Sequence, residues 1–161
     1  MEKKIINKTF ANIEVLNIVA WYNKMRNNDE TKHKFECLPF KVQYALRSNI
    51  KTMADTIKPF EEMITDYKKQ LQEEFFTEDR VDIIHTENGD EMKLKEEYIE
   101  EYTRRGHELE EKLNEVSFEK TDVQLSCYDL DEILDALCEE TIEKYGMTVD
   151  DFSMLEFMNV G

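Results

Sequence analysis

Clustered carboxylates are the residues of this chain whose type and spacing could do chemistry. Seven of them form the candidate site: Glu96, Glu97, Glu100, Glu101, Asp131, Asp135 and Glu139. Paired carboxylates serve as general acids and bases or hold Mg²⁺, but both tasks need convergence with other polar groups in a cleft. Spacings of three and four residues are typical of the solvated faces of helices instead. The last three acids, at intervals of four, predict one acidic ridge on one helix.

The histidines and cysteines show no metal-binding pattern. They are His33, His85, His107, Cys37, Cys127 and Cys138. None of them falls in the closely spaced pairs that hold zinc, and an odd number of cysteines argues against a disulfide framework. We expect free thiols in a reducing cytoplasm, with Cys138 buried at an apolar helix position. The sequence predicts no metal site and no cofactor.

The signatures of common enzymes are not present in this sequence. It holds no glycine-rich phosphate loop, no serine nucleophile elbow and no kinase signature. We therefore predict no catalytic residues and a protein that is not an enzyme. The seven carboxylates are predicted to bind a partner.

Charge is divided unevenly along the chain. Residues 1–59 carry a formal charge of +5 and residues 60–161 carry −21, within a total of −16. So acidic a surface repels nucleic acid and attracts basic surfaces. Helix carboxylates about 5–6 Å apart also approximate the phosphates of a DNA strand, which follow one another about every 3.4 Å of axis. The basic first segment either contacts phosphates or, more simply, faces the acidic remainder of the same molecule or of a second copy.

Few residues interrupt helices in this chain. Its 161 residues include only 4 Gly and 2 Pro, and 36% are charged, against roughly 25% in ordinary globular chains. Such a composition predicts long helices, and the length fits one domain over residues 1–161. We see no signal peptide and no apolar run long enough to cross a membrane.

Two heptad seams predict an antiparallel, coiled-coil-like arm over residues 39–116. The first seam, from Pro39 to Phe75, consists of Leu46, Ile50, Met53, Ile57, Phe60, Ile64, Tyr67 and Leu71. The second, over residues 95–116, consists of Ile99, Tyr102, Gly106, Leu109, Leu113 and Val116. Asn88-Gly89 predicts a small β-hairpin near 80–94, between the seams. Pro59 predicts a kink or a break in the first helix, and Gly106 either allows close approach or weakens the second.

The flanking residues, 1–38 and 117–161, predict a smaller α/β region. Residues 5–10 form a short edge strand or an ordered arm, Asn12 caps a helix that ends near residue 27, and residues 123–127 form a strand. One helix then runs from a cap at residue 129 or 131 to Gly146, and Thr148 caps the last helix with Asp151 in a capping box. The predicted fold class is mostly α.

Two stretches of the sequence resemble a known family. Residues 38–50, Leu-Pro-Phe-Lys-Val-Gln-Tyr-Ala-Leu-Arg-Ser-Asn-Ile, resemble a Leu-Pro helix signature, and residues 147–158 resemble a closing Leu-Thr and Phe-Met motif. Both are similar to motifs of short proteins from tailed phages and prophages of Gram-positive bacteria. The family has no assigned catalytic residues. The resemblance implies a phage origin and a non-enzymatic role.

Charge and resemblance together predict an inhibitor acting in the cytoplasm of the infected host. The expected partner is a protein with a basic surface, such as a CRISPR effector or another host nucleic-acid-targeting defence complex, with no direct nucleic-acid or membrane binding. The alternative is a phage structural or assembly protein, such as a tail-associated chaperone or a minor virion component. A metal-dependent nuclease is a third, less favoured interpretation. Opposite charges at the two ends also predict a head-to-tail homodimer.

Overall fold

The computed structural model, which describes residues 1–161, contains six helices and four short strands. The elements are β1 (Lys4–Ala11), α1 (Asn12–Arg26), α2 (Phe40–Phe75), β2 (Val81–Thr86), β3 (Gly89–Leu94), α3 (Glu96–Ser117), β4 (Lys120–Cys127), α4 (Leu130–Ala136), α5 (Glu139–Tyr145) and α6 (Val149–Met154), with 3-10 turns at Lys34–Cys37 and Leu155–Met158. Helical residues make up 63% of the chain, which confirms the mostly α prediction.

The chain divides into two compact units. Unit 1 combines residues 1–58 with residues 120–161, and unit 2 comprises residues 59–119. Helix α2 contributes residues to both units. The expectation that residues 1–161 form one domain stays a prediction.

An antiparallel pair of strands forms the sheet of unit 1. β1 pairs with β4 from Lys4 opposite Cys127 to Ala11 opposite Lys120. Alternate residues of β4, namely Val123, Leu125 and Cys127, are buried, as expected for a sheet with one face on a core. The helices supply the rest of the core: Val15, Val19, Tyr22, Met25, Val42, Ala45, Leu46, Ile50, Met53, Ile57, Ile133, Leu155 and Met158.

Helix α2 runs through Pro59 without interruption. Of the predicted kink or break, the break is therefore wrong, because the hydrogen bonds on either side of the proline hold the helix together despite the one that is lost at Asp55. The kink stays a prediction. Its seam is buried as far as Phe60, whereas Ile64, Tyr67 and Leu71 are only partly covered. The second half of α2 therefore has a thinner apolar core than the first.

Unit 2 is an antiparallel helical pair with a hairpin, which is the architecture predicted for the arm. The predicted bounds of the arm, residues 39–116, stay a prediction. Arg105 of α3 lies 3.5 Å from Glu74 of α2, and a Cβ built on Gly106 would lie 3.8 Å from Leu71 Cδ2. β2 and β3 pair from Val81 opposite Leu94 to Thr86 opposite Gly89, around the two-residue loop Glu87-Asn88. The hairpin is as predicted, but Gly89, with a φ of +113°, is the first residue of β3 rather than part of the loop. A small core of Phe75, Val81 and Leu94, flanked by Leu71, Phe76, Tyr98 and Tyr102, supports the base of the hairpin. The base of the hairpin thus packs against the helices. A two-stranded hairpin needs such packing, because it is only marginally stable alone.

Two predicted details of the helices are wrong. The fourth helix is divided into α4 and α5, because Leu137 and Cys138 both have extended backbones and Cys138 caps α5. Asn12 is the first residue of α1 rather than its cap; Ala11 holds that position, and its N–H donates to the Glu14 carboxylate at 2.7 Å. The capping box of Thr148 and Asp151 at α6 is confirmed.

Candidate interaction surfaces

Folding reduces the charge contrast that runs along the sequence. Unit 1 contains 13 Lys and Arg against 17 Asp and Glu, a net −4, because its basic first segment folds together with the acidic last one. Lys34, for example, pairs with Asp151 at 3.0 Å in a partly buried position. Unit 2 contains 8 Lys and Arg against 20 Asp and Glu, a net −12. Most of the excess negative charge therefore belongs to unit 2.

Four of the predicted site residues lie together in unit 2. Glu96, Glu97, Glu100 and Glu101 occupy the first two turns of α3, and all four are exposed. Only Glu101 forms an ion pair, with Arg104 at 3.8 Å. The other three carboxylates form none, so they are available to a partner.

Two arginines end this acidic stretch of α3. Arg104 and Arg105 both contact Glu108, and the Arg105 Nη1–Glu108 Oε2 distance is 2.8 Å. The hydrogen bond from Arg105 is the main reason why the pKa of Glu108 lies below its ordinary value. The two arginines thus interrupt the row of acids after Glu101, and the first two turns of α3 form a separate carboxylate surface.

The remaining predicted residues lie in unit 1. Asp131 and Asp135 are one helical turn apart on α4 and both are exposed. Glu139 belongs to α5. The single acidic ridge predicted for these three residues is therefore wrong, because the extended backbone at Leu137 and Cys138 takes Glu139 out of the helical repeat.

Helix stability offers a competing explanation for several of these acids. Glu96 and Glu97 lie in the first turn of α3, Asp131 in that of α4 and Glu139 in that of α5. A carboxylate in a first turn stabilises the helix by about 0.3–1 kcal/mol through the macrodipole. Glu100, Glu101 and Asp135 lie beyond the first turns and have no such role.

A second surface lies in unit 1, where sequence reasoning predicted none. A cleft of about 390 Å³ is lined by Met1, Lys3, Phe40, Lys41, Tyr44, Ala45, Ser126 and Tyr128. We call it the aromatic cleft, because its two large rings, Phe40 and Tyr44, are 83% and 71% exposed. The sequence contained one signal for this surface. Phe40 and Tyr44 are four residues apart, so they share one face of the helix, and that face is not the one that carries Leu46 and Ile50 of the buried seam.

Asn49 connects α2 to the floor of the aromatic cleft. Its side chain is almost completely buried, with 2% exposure. Its Nδ2 donates to the Ser126 carbonyl and its Oδ1 accepts from the Ser126 N–H, both at 2.8 Å. The amide thus takes the place of a neighbouring strand at the edge of β4 and holds Ser126 beside Ala45.

A third surface is the far end of the hairpin in unit 2. On one face of the ribbon, Val81 and Leu94 are buried at the base, whereas the next cross-strand pair, Ile83 and Met92, is 61% and 56% exposed. The last pair on that face is His85 and Asp90, which are hydrogen-bonded to each other. We call the residues beyond the base, 82–92, the ribbon tip. The apolar face of the hairpin therefore extends well beyond the core that supports it.

The cysteines differ from one another in their environments. Cys37 and Cys127 are buried, and burial raises the pKa of both thiols. The predicted burial of Cys138 is wrong: it is exposed at the start of α5, and its hydrogen bond with Thr141 lowers its pKa. No group of three His, Cys, Asp or Glu residues is arranged to hold a metal ion.

None of the helices combines the length and the apolar character needed to cross a lipid bilayer. No protein-family model, no curated protein and no solved structure matches this chain at a significant level.

Proposed function

We propose that this chain is a non-enzymatic binding protein that covers a basic surface of a partner protein with the carboxylates of unit 2. The observation that carries the proposal is the acidic start of α3, where Glu96, Glu97 and Glu100 are exposed and form no ion pair. Unit 2 adds a net charge of −12 around them. Charge of one sign, concentrated in this way, speeds and directs association with a partner of opposite sign.

The proposed partner is a host defence complex that targets nucleic acid, such as a CRISPR effector, in the cytoplasm of an infected bacterium. Two things support this setting: the resemblance of residues 38–50 and 147–158 to phage proteins, and the spacing of the carboxylates. An acidic helix face that approximates a row of phosphates competes for the surface where nucleic acid binds. Screening by salt must weaken such a complex.

The test measures DNA binding by a purified CRISPR effector complex from a Gram-positive host, with and without this protein, at low and high salt. Two charge-reversal variants divide the predicted site between the units. One replaces Glu96, Glu97, Glu100 and Glu101 with Lys, and the other replaces Asp131, Asp135 and Glu139 with Lys. A matched control makes the same change in charge at exposed acids of unit 1 outside the predicted site: Glu2, Glu30, Asp55 and Asp150.

We expect the α3 variant to lose inhibition, while the control variant keeps most of it. Far-UV circular dichroism of each variant checks that the helices remain, because reversal in a first turn also acts against the helix dipole. If folded α3 and α4–α5 variants both inhibit as well as the wild type, this mechanism is ruled out. If the control loses as much inhibition as the α3 variant, net charge rather than the surface of α3 is responsible.

The rival proposal is a structural or assembly protein of the phage particle. The partly covered apolar residues of the helices in unit 2 and the exposed apolar face of its hairpin favour it, because exposed apolar surface marks contacts with other proteins. Mass spectrometry of purified virions separates the two proposals. A virion component is present in purified particles, whereas an inhibitor made early in infection is absent. An assembly chaperone is also absent, but its loss, unlike that of the inhibitor, lowers the yield of particles in a host without the defence complex.

A further inference from the structure

Packing within each unit leaves two apolar surfaces uncovered. One is the aromatic cleft of unit 1, where Phe40 and Tyr44 are exposed; the other is the ribbon tip of unit 2, where Ile83 and Met92 are exposed. Contiguous exposed apolar groups with polar rims mark interaction sites. Both surfaces therefore need an explanation that the acidic face of α3 does not provide.

The rims of the two surfaces carry opposite charge. Lys3 and Lys41 line the aromatic cleft. Within the ribbon tip the carboxylates are Asp82, Glu87, Asp90 and Glu91, and the only other titratable side chain is His85. One surface is therefore concave, aromatic and basic, while the other is projecting, aliphatic and acidic.

We propose that the ribbon tip of one copy of this chain docks in the aromatic cleft of a second copy. Ile83 and Met92 then pack on the rings of Phe40 and Tyr44, a combination that includes a favourable contact between sulfur and aromatic groups. Asp90, which lies on the same face of the ribbon as Ile83 and Met92, then meets the lysines of the rim. A cleft of about 390 Å³ lies within the usual range of concave binding sites, about 300–1,000 Å³.

Apolar complementarity, together with charge, favours a second copy over nucleic acid as the occupant. Exposed rings beside lysines also suit a single-stranded nucleic acid, whose bases stack on aromatic side chains. However, unit 1 has a net charge of −4 and the chain one of −16, so a polyanion is repelled. A second copy carries the same net charge, but its ribbon tip offsets that repulsion by covering the exposed rings with the exposed side chains of Ile83 and Met92. Each copy of the chain supplies both surfaces.

A mixing experiment tests this contact. The cleft variant is Phe40→Ala with Lys41→Glu and Tyr44→Ala, which leaves its ribbon tip intact. The ribbon variant is Ile83→Thr with Met92→Thr, which leaves its cleft intact and keeps residues that suit a strand. Sedimentation velocity at micromolar concentration and low salt measures the mass of the wild type, of each variant alone and of their equimolar mixture.

We expect the wild type to sediment as a species heavier than the monomer of 19.3 kDa and each variant alone as a monomer. The mixture should form a 1:1 complex, because one intact cleft and one intact ribbon tip remain. Each variant should weaken self-association at least about tenfold, which corresponds to about 1.4 kcal/mol. Because every substituted side chain is exposed, circular dichroism and the denaturation midpoint should be unchanged.

Other results overturn the proposal. The proposal is wrong if the wild type stays monomeric at all concentrations or if the mixture of the two variants stays monomeric. It is also wrong if either variant alone associates as the wild type does. A labelled oligothymidylate that binds the wild type but not the cleft variant assigns the cleft to nucleic acid instead. A charge exchange provides an independent test that needs no loss of apolar groups: Lys41→Glu and Asp90→Lys each weaken association, and the double variant restores it.

Discussion

Asn49 and Ser126, which are 77 residues apart in the chain, are joined by two hydrogen bonds of 2.8 Å between a side-chain amide and a backbone peptide group. The amide satisfies both polar groups of Ser126 at the edge of β4. At Tyr128 the same edge is occupied by the C-terminal segment, since the Tyr128 N–H donates to the Met158 carbonyl and the Tyr128 carbonyl accepts from the Val160 N–H. The Asn49 side chain thus makes the two hydrogen bonds to β4 that a third strand would otherwise make.

Replacing Asn49 should destabilise the protein strongly. Asn49→Ala removes both bonds and leaves the peptide groups of Ser126 without partners, so we expect a loss of about 2–3 kcal/mol in the free energy of unfolding. Chemical denaturation followed by circular dichroism measures it. The control is Asn17→Ala, at an exposed position of α1, where the change should lie within about 0.5 kcal/mol. Equal midpoints for the two variants would contradict the role given to Asn49.

An aspartate at position 49 should add a dependence on pH. In Asn49→Asp the carboxylate still accepts from the Ser126 N–H but faces the Ser126 carbonyl oxygen, and burial disfavours its charge. Both effects raise the folded-state pKa of the new carboxyl, so its destabilising effect is largest at neutral pH and shrinks as the pH falls toward its unfolded value, about 3.9. Denaturation midpoints relative to the wild type at pH 7 and pH 5 check this. A difference that does not change with pH counts against the hydrogen-bond geometry.

Two glycines should respond in opposite directions to alanine. A Cβ at Gly106 would lie at 3.8 Å from Leu71 Cδ2, an ordinary contact, so Gly106→Ala should stabilise α3 by about 0.5–1 kcal/mol. Gly146 has a φ of +68° at the end of α5, where an alanine is strained, so Gly146→Ala should destabilise by about 1 kcal/mol. Thermal denaturation measures both. A loss of stability at Gly106 would mean that close helix approach there needs glycine.

Pro59 should cost stability without being needed for the helix. Pro59→Ala restores a donor for the Asp55 carbonyl, and a proline inside a helix costs about 3 kcal/mol relative to alanine. We expect the free energy of unfolding to rise by about 1–3 kcal/mol, with an unchanged circular dichroism spectrum. Lys58→Ala, at the exposed neighbouring position, is the control and should change little. A fall in stability would show that the proline itself is required where the two units join in sequence.

The ion pair between Lys34 and Asp151 should make the stability of unit 1 sensitive to acid. Partial burial acts to raise the pKa of Asp151, but the hydrogen bonds from Lys34 and Thr148 outweigh it and hold the pKa below its ordinary value. A carboxyl with a lowered folded-state pKa contributes its full stability above the unfolded pKa, about 3.9, and loses it as the pH falls through the folded value.

Asp151→Asn should therefore lower the stability by about 1 kcal/mol at pH 7, and this difference from the wild type should vanish in strong acid. Denaturation midpoints at several pH values test the expectation. The matched control is Asp150→Asn, which makes the same change in charge at an exposed neighbour. A difference that persists unchanged below pH 3 would show that the carboxylate of Asp151 does not carry the effect.

Local patterns in the sequence determined a large part of this structure. The heptad seam of α2, the hairpin at Asn88-Gly89 and the capping box of Thr148 with Asp151 each depend on residues close together in the chain. Their periodicity, turn chemistry and cap hydrogen bonds act over a few residues and can be read without knowledge of the fold. The same signals placed Glu96, Glu97, Glu100 and Glu101 on one exposed stretch of α3.

Only the tertiary structure decided the features that depend on distant segments. No local pattern shows that Asn49 meets Ser126 or that Lys34 meets Asp151. Nor does one show that Ser126 of β4 lines the aromatic cleft beside Phe40. The break after α4 depends on an extended backbone at Leu137 and Cys138 within a stretch whose apolar spacing suits one helix, and it separates Glu139 from Asp131. The periodicity of a sequence shows which face of a single helix is exposed to solvent. The packing of elements that are far apart in sequence determines which side chains come together in space.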